Sequence, residues 1–169
     1  MMNKSRRTVI FIARTGVIAG VYAALTILLA PISYGAVQCR VSEAMTLLPL
    51  LMPEAVPGLI IGCLLANIYS GWWVDMVFGT LATVIAALGT FLIGKLCRNF
   101  KGMPFLAAVP PVLVNAIILP LMWLLFSADA AYWFNFATVL AGQAAAVYVL
   151  GVPLYYGLRK AKAAEWGLR

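Results

Sequence analysis

The chain has 169 residues, of which 64% are hydrophobic and only 10% charged, and its formal net charge is +7. A soluble domain of this length would need more charged side chains to cover its surface, which excludes that class. Apolar runs of eighteen or more residues recur, and as helices they are long enough to cross a hydrocarbon layer of ~30 Å. The composition therefore predicts an all-α integral membrane protein, in which a positive net charge indicates orientation and does not indicate nucleic-acid binding.

Several kinds of chemistry lack their usual residues in this sequence. There is no histidine, and the three cysteines, Cys39, Cys63 and Cys97, have no CxxC spacing. Zinc sites, haem sites and histidine-based acid–base catalysis therefore lose their usual ligands and bases. We expect no catalytic residue, no metal site and no cofactor, and a small membrane enzyme is a weak alternative.

The apolar runs predict six transmembrane helices within one domain that covers residues 1–169. The predicted spans are about 8–30, 41–53, 54–71, 72–97, 104–127 and 135–158. The second span is too short to cross alone if it is straight, and three prolines interrupt the run from Val41 to Tyr69. One broken helix in this region, which gives five spans, is the alternative.

The basic residues predict the orientation of the bundle. Eleven of the twelve fall in three clusters, which precede or open span one, follow span four and follow span six. The clusters are Lys4, Arg6, Arg7 and Arg14; then Lys95, Arg98 and Lys101; then Arg159, Lys160, Lys162 and Arg169. The positive-inside rule places all three in the cytoplasm, together with both termini. This parity needs an even number of crossings between clusters, which favours six spans over five.

The twelfth basic residue, Arg40, falls on the outer side of this topology, three residues before Glu43. It is therefore not a signal of orientation. One interpretation is an i,i+3 salt bridge with Glu43 that closes the external loop. The other is a place in a binding site.

Span one carries a stripe of small residues that lets another helix approach closely. Its members are Gly16, Ala19, Gly20, Ala23 and Ala24. Such stripes pack helices together in lipid. Internal packing and docking to a separate membrane subunit both remain open.

Polar residues on different spans fall at similar depths in the predicted topology. The outer half of the bundle contains Glu43, Asn67, Asp75 and Gln143, with Trp72 beside them and Asn115 deeper. Polar side chains inside a membrane bundle are costly and mark functional sites by default. Ordinary roles are also open, an interfacial belt for the tryptophan and a helix N-terminal charge for Asp75. Taken together, the residues predict an outward-facing cavity for a small planar molecule rich in hydrogen-bonding groups.

No energy source for active transport is apparent in the chain. Residues 89–95 match the start of a Walker A pattern, but leucine replaces the required Ser/Thr at Leu96 and the stretch lies in an apolar span. A proton relay would need acidic residues near the membrane midplane. The acidic residues of this chain fall near the predicted membrane surfaces instead. We expect a small-molecule binder that needs partners, with a self-sufficient secondary carrier as the alternative.

The segment from Val37 to Thr90 resembles the QueT family of queuosine-precursor transporters. The similar stretches read VQCRVSEAMTLLPLL and PEAVPGLIIGCLLAN, followed by Gly71, Asp75, Gly79 and the sequence TLAT. The QueT proteins are substrate-binding S components of energy-coupling factor (ECF) transporters.

The resemblance implies a six-helix bundle without an ATPase of its own, in the cell membrane. Its partners would be a transmembrane coupling protein and two cytoplasmic ATPase subunits, and Gly16, Ala19, Gly20 and Ala23 would contact the coupling protein. The ligand would be a 7-deazaguanine such as preQ0 or preQ1, or the base queuine. An S component for another planar vitamin is the alternative.

The expected site residues combine this resemblance with the predicted depths. Glu43 or Asp75 would accept the paired N–H groups of a guanine-like edge, because one carboxylate can accept two parallel donors. Asn67 or Gln143 would form hydrogen bonds to the carbonyl and a ring N–H of the ligand. Arg40 would orient the carboxylate or gate the external loop. The full set of predicted substrate-binding residues is Arg40, Glu43, Asn67, Trp72, Asp75, Asn115 and Gln143.

Overall fold

The computed structural model describes residues 4–33, 40–97, 102–127 and 129–166, with the side chains of 162–166 excepted. Within these ranges every regular element is helical and no strand is present, so the predicted all-α class is confirmed. Arg98, Lys101 and Arg169 of the predicted basic clusters, and Cys39, lie outside the described residues.

Eight α-helices, one 3-10 helix and two π-helical segments make up the described part of the chain. In chain order they are α1 (Lys4–Leu28), α2 (Ala30–Ser33), the 3-10 helix (Val41–Leu50), α3 (Ala55–Ser70), the first π segment (Asp75–Gly79), α4 (Thr80–Leu96), α5 (Met103–Ala107), α6 (Val109–Phe126), α7 (Tyr132–Ala144), the second π segment (Ala145–Gly151) and α8 (Val152–Trp166). We call the 3-10 helix the central helix.

Four helical stretches are long and apolar enough to cross a membrane. They are Lys4–Leu28, Asp75–Leu96, Met103–Phe126 and Tyr132–Ala161. The chain is therefore a multi-pass membrane protein. The other two predicted spans coincide with shorter apolar helices, Val41–Leu50 and Ala55–Ser70, so the six-span count and the orientation of the termini stay predictions.

The central helix is surrounded by other elements. Every side chain from Ser42 to Pro49 is buried, and the helix packs against α1, α3, α4, α5, α8 and the second π segment. A 3-10 helix rises about 2.0 Å per residue, so these ten residues extend ~20 Å, compared with ~15 Å for an α-helix. The 3-10 geometry thus lengthens a segment that is too short to cross as a straight α-helix.

Helices α1 and α3 approach closely at Gly62. A Cβ atom on this glycine would lie 2.8 Å from both the Ala19 carbonyl oxygen and the Tyr22 Cβ atom. Ala19 and Ala23 are buried on this side of α1, whereas Gly16 and Gly20 are exposed and have open space where a Cβ would be. The small-residue stripe therefore divides between an internal face and an outward face.

The turn after α3 brings the chain back onto that helix. Gly71 adopts a left-handed conformation with φ of 73°, and its N–H donates to the Ile68 carbonyl at 3.1 Å. Glycine adopts this conformation at little cost, which is why the helix can end here. The first π segment begins shortly afterwards at Asp75, packed against α3.

An ion pair joins α1 to the turn after the central helix. Arg14 Nη1 lies 3.1 Å from Glu54 Oε1, and the Thr15 hydroxyl donates to the Glu54 carbonyl at 3.2 Å. The first half of α1 and this turn therefore lie at the same end of the bundle. The topology predicted from the basic residues requires this arrangement.

We expect Gly62→Ala to destabilise the fold by about 1–3 kcal/mol, because the added methyl group overlaps the backbone of α1. The matched control is Gly20→Ala on the exposed face of α1. It should be neutral or stabilising by up to about 1 kcal/mol, because alanine has the higher helix propensity. Thermal unfolding of both purified variants in detergent measures the difference. Equal stability of the two variants would contradict the close α1–α3 contact.

Candidate functional site

A cluster of polar side chains lies around the start of the central helix. Four elements contribute to it: Tyr22 comes from α1, Arg40 and Glu43 from the central helix and the residue before it, Asn67 from α3, and Asp75 from the first π segment. All five are buried, and the most accessible, Asp75, is only 6% exposed. We call these five residues the polar cluster.

Glu43 is joined to α1 by a hydrogen bond within the polar cluster. Its Oε1 accepts a hydrogen bond of 2.5 Å from the Tyr22 hydroxyl. Three residues further on, the Thr46 hydroxyl donates to the Glu43 backbone carbonyl at 2.6 Å. The carboxylate is thus held in one orientation from α1, and it retains capacity to accept further donors.

Arg40 interacts electrostatically with both carboxylates of the cluster. Its positive charge acts on Glu43 and on Asp75, and its Nε donates to the Ser33 carbonyl at 3.5 Å. Arg40 precedes the 3-10 helix in an extended conformation, and its carbonyl accepts the Glu43 backbone N–H at 3.0 Å. A role for these two residues in binding a ligand stays a prediction.

Asn67 connects α3 to the first π segment. Its amide nitrogen donates to the Asp75 backbone carbonyl at 2.9 Å and approaches the Cys63 sulfur at 3.3 Å. A Cβ atom on Gly79 would lie 3.0 Å from this nitrogen, so the glycine leaves room for the amide. Asn67 and Asp75, which the sequence placed at similar depth, are brought together.

Three of the predicted substrate-binding residues have buried atoms with no hydrogen-bond partner within the ranges that the structure describes. These atoms are Asn67 Oδ1, Asp75 Oδ1 and both amide atoms of Gln143. Buried polar groups are almost always hydrogen-bonded, and each exception calls for an explanation. Three of the four atoms are acceptors, so a ligand that satisfied them would be rich in donors.

Gln143 is buried on α7, two residues before the second π segment. That segment packs on the central helix, where a Cβ on Gly151 would lie 2.9 Å from the Ala44 carbonyl oxygen. Val152 and Tyr155, which follow it, share a core cluster with Leu47 further along the central helix. The two helices therefore run in the same direction, and Gln143 lies about 12 Å before Gly151, toward the end with the polar cluster.

Asn115 and Trp72, like Gln143, are not joined to the polar cluster by any hydrogen bond among the described residues. Asn115 is buried but donates to the Pro111 carbonyl of its own helix at 3.0 Å, so its amide nitrogen has a partner without a ligand. Trp72 is half-buried against the apolar core that includes Val74 and Leu119. Their roles at a ligand stay predictions.

Sequence reasoning missed Tyr22 as a member of the site. It also missed the Thr26 and Ser42 hydroxyl pair, whose oxygens lie 2.7 Å apart and join α1 to the central helix. The available signal was spacing, because Tyr22 lies three residues after Ala19 and four before Thr26, on one face of a helix. A tyrosine on the small-residue face of span one is a candidate for inward orientation.

A second polar group joins Asp129, in the connection between α6 and α7, to the first turn of α7. Asp129 accepts hydrogen bonds from the Ala131 backbone N–H at 3.0 Å and from the Asn135 amide at 2.7 Å. The backbone bond first, and then the side-chain bond, hold the pKa of the Asp129 carboxyl below its usual range. This group therefore tethers the start of α7.

The polar cluster combines two carboxylates, one guanidinium, one amide and one phenol. Within the described part of the chain, no group of three or more His, Cys, Asp or Glu residues is placed to hold a metal ion. The arrangement is suited to recognising a polar molecule by hydrogen bonds and charge in a site that is shielded from water.

Comparisons with known proteins agree on one family. A family profile described as "QueT transporter" matches residues 12–160. The chain is also similar to a protein of Lactococcus lactis subsp. cremoris (strain MG1363) named "Queuosine precursor transporter QueT". The two are 27% identical over 148 residues, which cover 82% of this chain and 86% of that protein. No solved structure matches the chain.

We expect Tyr22→Phe to destabilise the protein by about 1–3 kcal/mol, because the Glu43 carboxylate loses a buried donor. The matched control is Tyr148→Phe, which removes a hydroxyl that donates to the Phe105 carbonyl at 3.3 Å at the surface. The control should change stability by no more than about 0.5 kcal/mol. Thermal unfolding in detergent measures both. A Tyr22 variant as stable as the control would contradict the buried bond to Glu43.

Proposed function

The chain belongs to the QueT transporter family, and from this premise we propose that it binds a queuosine precursor for import into the cell. The proposed ligand is a 7-deazaguanine such as preQ0 or preQ1, or queuine. The proposed location is the plasma membrane. The observation that supports the proposal most directly is the buried polar cluster, which four elements assemble in an otherwise apolar bundle.

The cost of burying these groups argues for a ligand. A charged side chain inside a membrane protein is costly and is usually paired or functional. The cluster contains Arg40, Glu43 and Asp75, and its Asn67 Oδ1 and Asp75 Oδ1 atoms have no hydrogen-bond partner among the described residues. A donor-rich heterocycle would satisfy these atoms and compensate the burial.

Glu43 is our candidate for the guanine-like edge. That edge presents a ring N–H beside an exocyclic NH₂, and a carboxylate can accept both in parallel. The Tyr22 hydroxyl fixes the orientation of the carboxylate through Oε1, and each carboxylate oxygen can accept more than one hydrogen bond. Arg40 would orient the carboxylate.

The other predicted site residues complete the proposed recognition. Gln143 or Asn67 would bind the carbonyl and a ring N–H, since an amide supplies both a donor and an acceptor. Trp72 would contribute an aromatic face, and Asn115 would border the site more deeply.

Energy for transport would come from other subunits. We propose that the protein is the S component of an ECF-type importer, associated with a coupling protein and two ATPases. The outward face of α1 supports this, because Gly16 and Gly20 leave a shallow surface that a partner helix could approach closely. Ala19 and Ala23 lie on the internal face and would support the contact from behind.

We expect Glu43→Gln to weaken the binding of deazaguanines by about 10–100-fold, because the charge-assisted acceptor is lost and an amide donor faces the ligand's donors. The matched control is Glu54→Gln, at the opposite end of the bundle beside Arg14. It should leave the affinity unchanged. Calorimetric titration of purified protein measures both.

Unchanged affinity of the Glu43 variant would remove this residue from the site. Failure of the wild-type protein to bind any deazaguanine at micromolar concentration would reject the ligand class and favour another planar vitamin.

We expect Gly20→Leu to reduce cellular uptake at least tenfold while ligand affinity is retained, because the side chain blocks the approach of the coupling protein. Gly157→Leu is the matched control, since that exposed helical glycine also has open space around it. Radiolabelled uptake in cells with and without the coupling protein measures the effect. Accumulation that persists without the coupling protein would indicate a self-sufficient carrier.

A further inference from the structure

The polar cluster contains two acidic side chains and one basic side chain. Arg40 acts electrostatically on two carboxylates, Glu43 and Asp75, and all three side chains are buried. With the three groups ionised the cluster has one excess negative charge. An uncompensated buried charge is strongly unfavourable in a low-dielectric interior. A bound cation would remove the imbalance.

The two carboxylates differ in what they already bind. Glu43 Oε1 accepts the Tyr22 hydroxyl, and this bond fixes the carboxylate. Asp75 Oδ1 is buried with no hydrogen-bond partner among the residues that the structure covers. The vacant acceptor therefore lies at the first π segment, on the Asp75 side of the cluster.

Asn67 provides a second acceptor on the same side. Its amide nitrogen donates to the Asp75 backbone carbonyl, whereas its Oδ1 is buried and has no hydrogen-bond partner within the described ranges. A carboxylate oxygen and an amide oxygen on adjacent helices suit a group that has several donors and a positive charge. An alkylammonium has three N–H donors and no acceptor, and it matches this pair.

We infer that the substrate is a monocation whose ammonium group binds Asp75 and Asn67, while Glu43 accepts the neutral heterocyclic edge. This inference rests on the proposed function, because it assigns the two ends of a deazaguanine to the two carboxylates. It selects a precursor with an aminoalkyl substituent over one with an uncharged substituent. Asp75 is thereby the residue that determines specificity among the precursors.

Two compounds with the same ring separate the roles of charge and heterocycle. PreQ1 has an aminomethyl group, which is protonated at neutral pH, and preQ0 has an uncharged cyano group at the same position. Calorimetric titration of both compounds into purified wild-type protein should show preQ1 binding at least tenfold more tightly. Equal affinities, or tighter binding of preQ0, would overturn the inference, and this comparison needs no variant.

The variants then locate the cation. Asp75→Asn should weaken preQ1 binding by about 10–100-fold and leave preQ0 affinity within about threefold, so that the preference disappears. Glu43→Gln should weaken both compounds by similar factors, because both present the same edge. Retained preQ0 binding by Asp75→Asn shows in the same experiment that the variant is folded.

The outcomes distinguish this inference from the proposed function. An Asp75→Asn variant that loses both compounds equally while its thermal unfolding is unchanged would place Asp75 at the ring and refute the assignment. A preference that is lost in Glu43→Gln and kept in Asp75→Asn would exchange the two roles and also refute it. If the wild-type protein binds neither compound, the proposed function itself fails.

Discussion

The fold depends on the burial of a charged segment inside an apolar bundle. The central helix contains Glu43 and follows Arg40, and other elements cover it along its whole length. Water cannot satisfy these groups there, so the surrounding helices have to supply partners. Tyr22 from α1 donates to Glu43, and the Thr26 and Ser42 hydroxyls bond to each other beside it. The need to satisfy buried polar groups of the central helix thus determines the position of α1 and of the polar cluster.

Helix α1 connects the polar cluster to the exposed surface of the bundle. Its buried side holds Ala19 and Tyr22 against α3, where Gly62 permits the close approach. Its exposed side presents Gly16 and Gly20 within one turn of those residues. A displacement of α1 at one face would therefore move the Tyr22 hydroxyl at the other, because the helix is a rigid element.

Hydropathy predicted the helical class and the approximate position of each apolar helix, because lipid imposes one simple requirement of length and apolarity. The three-residue spacing of Arg40 and Glu43 indicated an i,i+3 ion pair or a binding role. The 3-10 geometry of Val41–Leu50 could not be predicted, since it results from packing on all sides, which local propensity does not encode. Tyr22 was missed for a related reason: only the α1–α3 contact determines that it points inward.

The two ends of the bundle treat carboxylates differently, and the comparison bears on function. At one end Glu54 has its own arginine, Arg14, and the pair joins α1 to a turn. At the other end, Glu43 and Asp75 share one arginine, Arg40. A second basic residue at that end would neutralise both carboxylates. A structural ion pair needs equal numbers of opposite charges, and the first end satisfies that condition. The second end has one carboxylate more than its arginine can pair with, and we attribute this excess to recognition of a molecule that carries the missing charge.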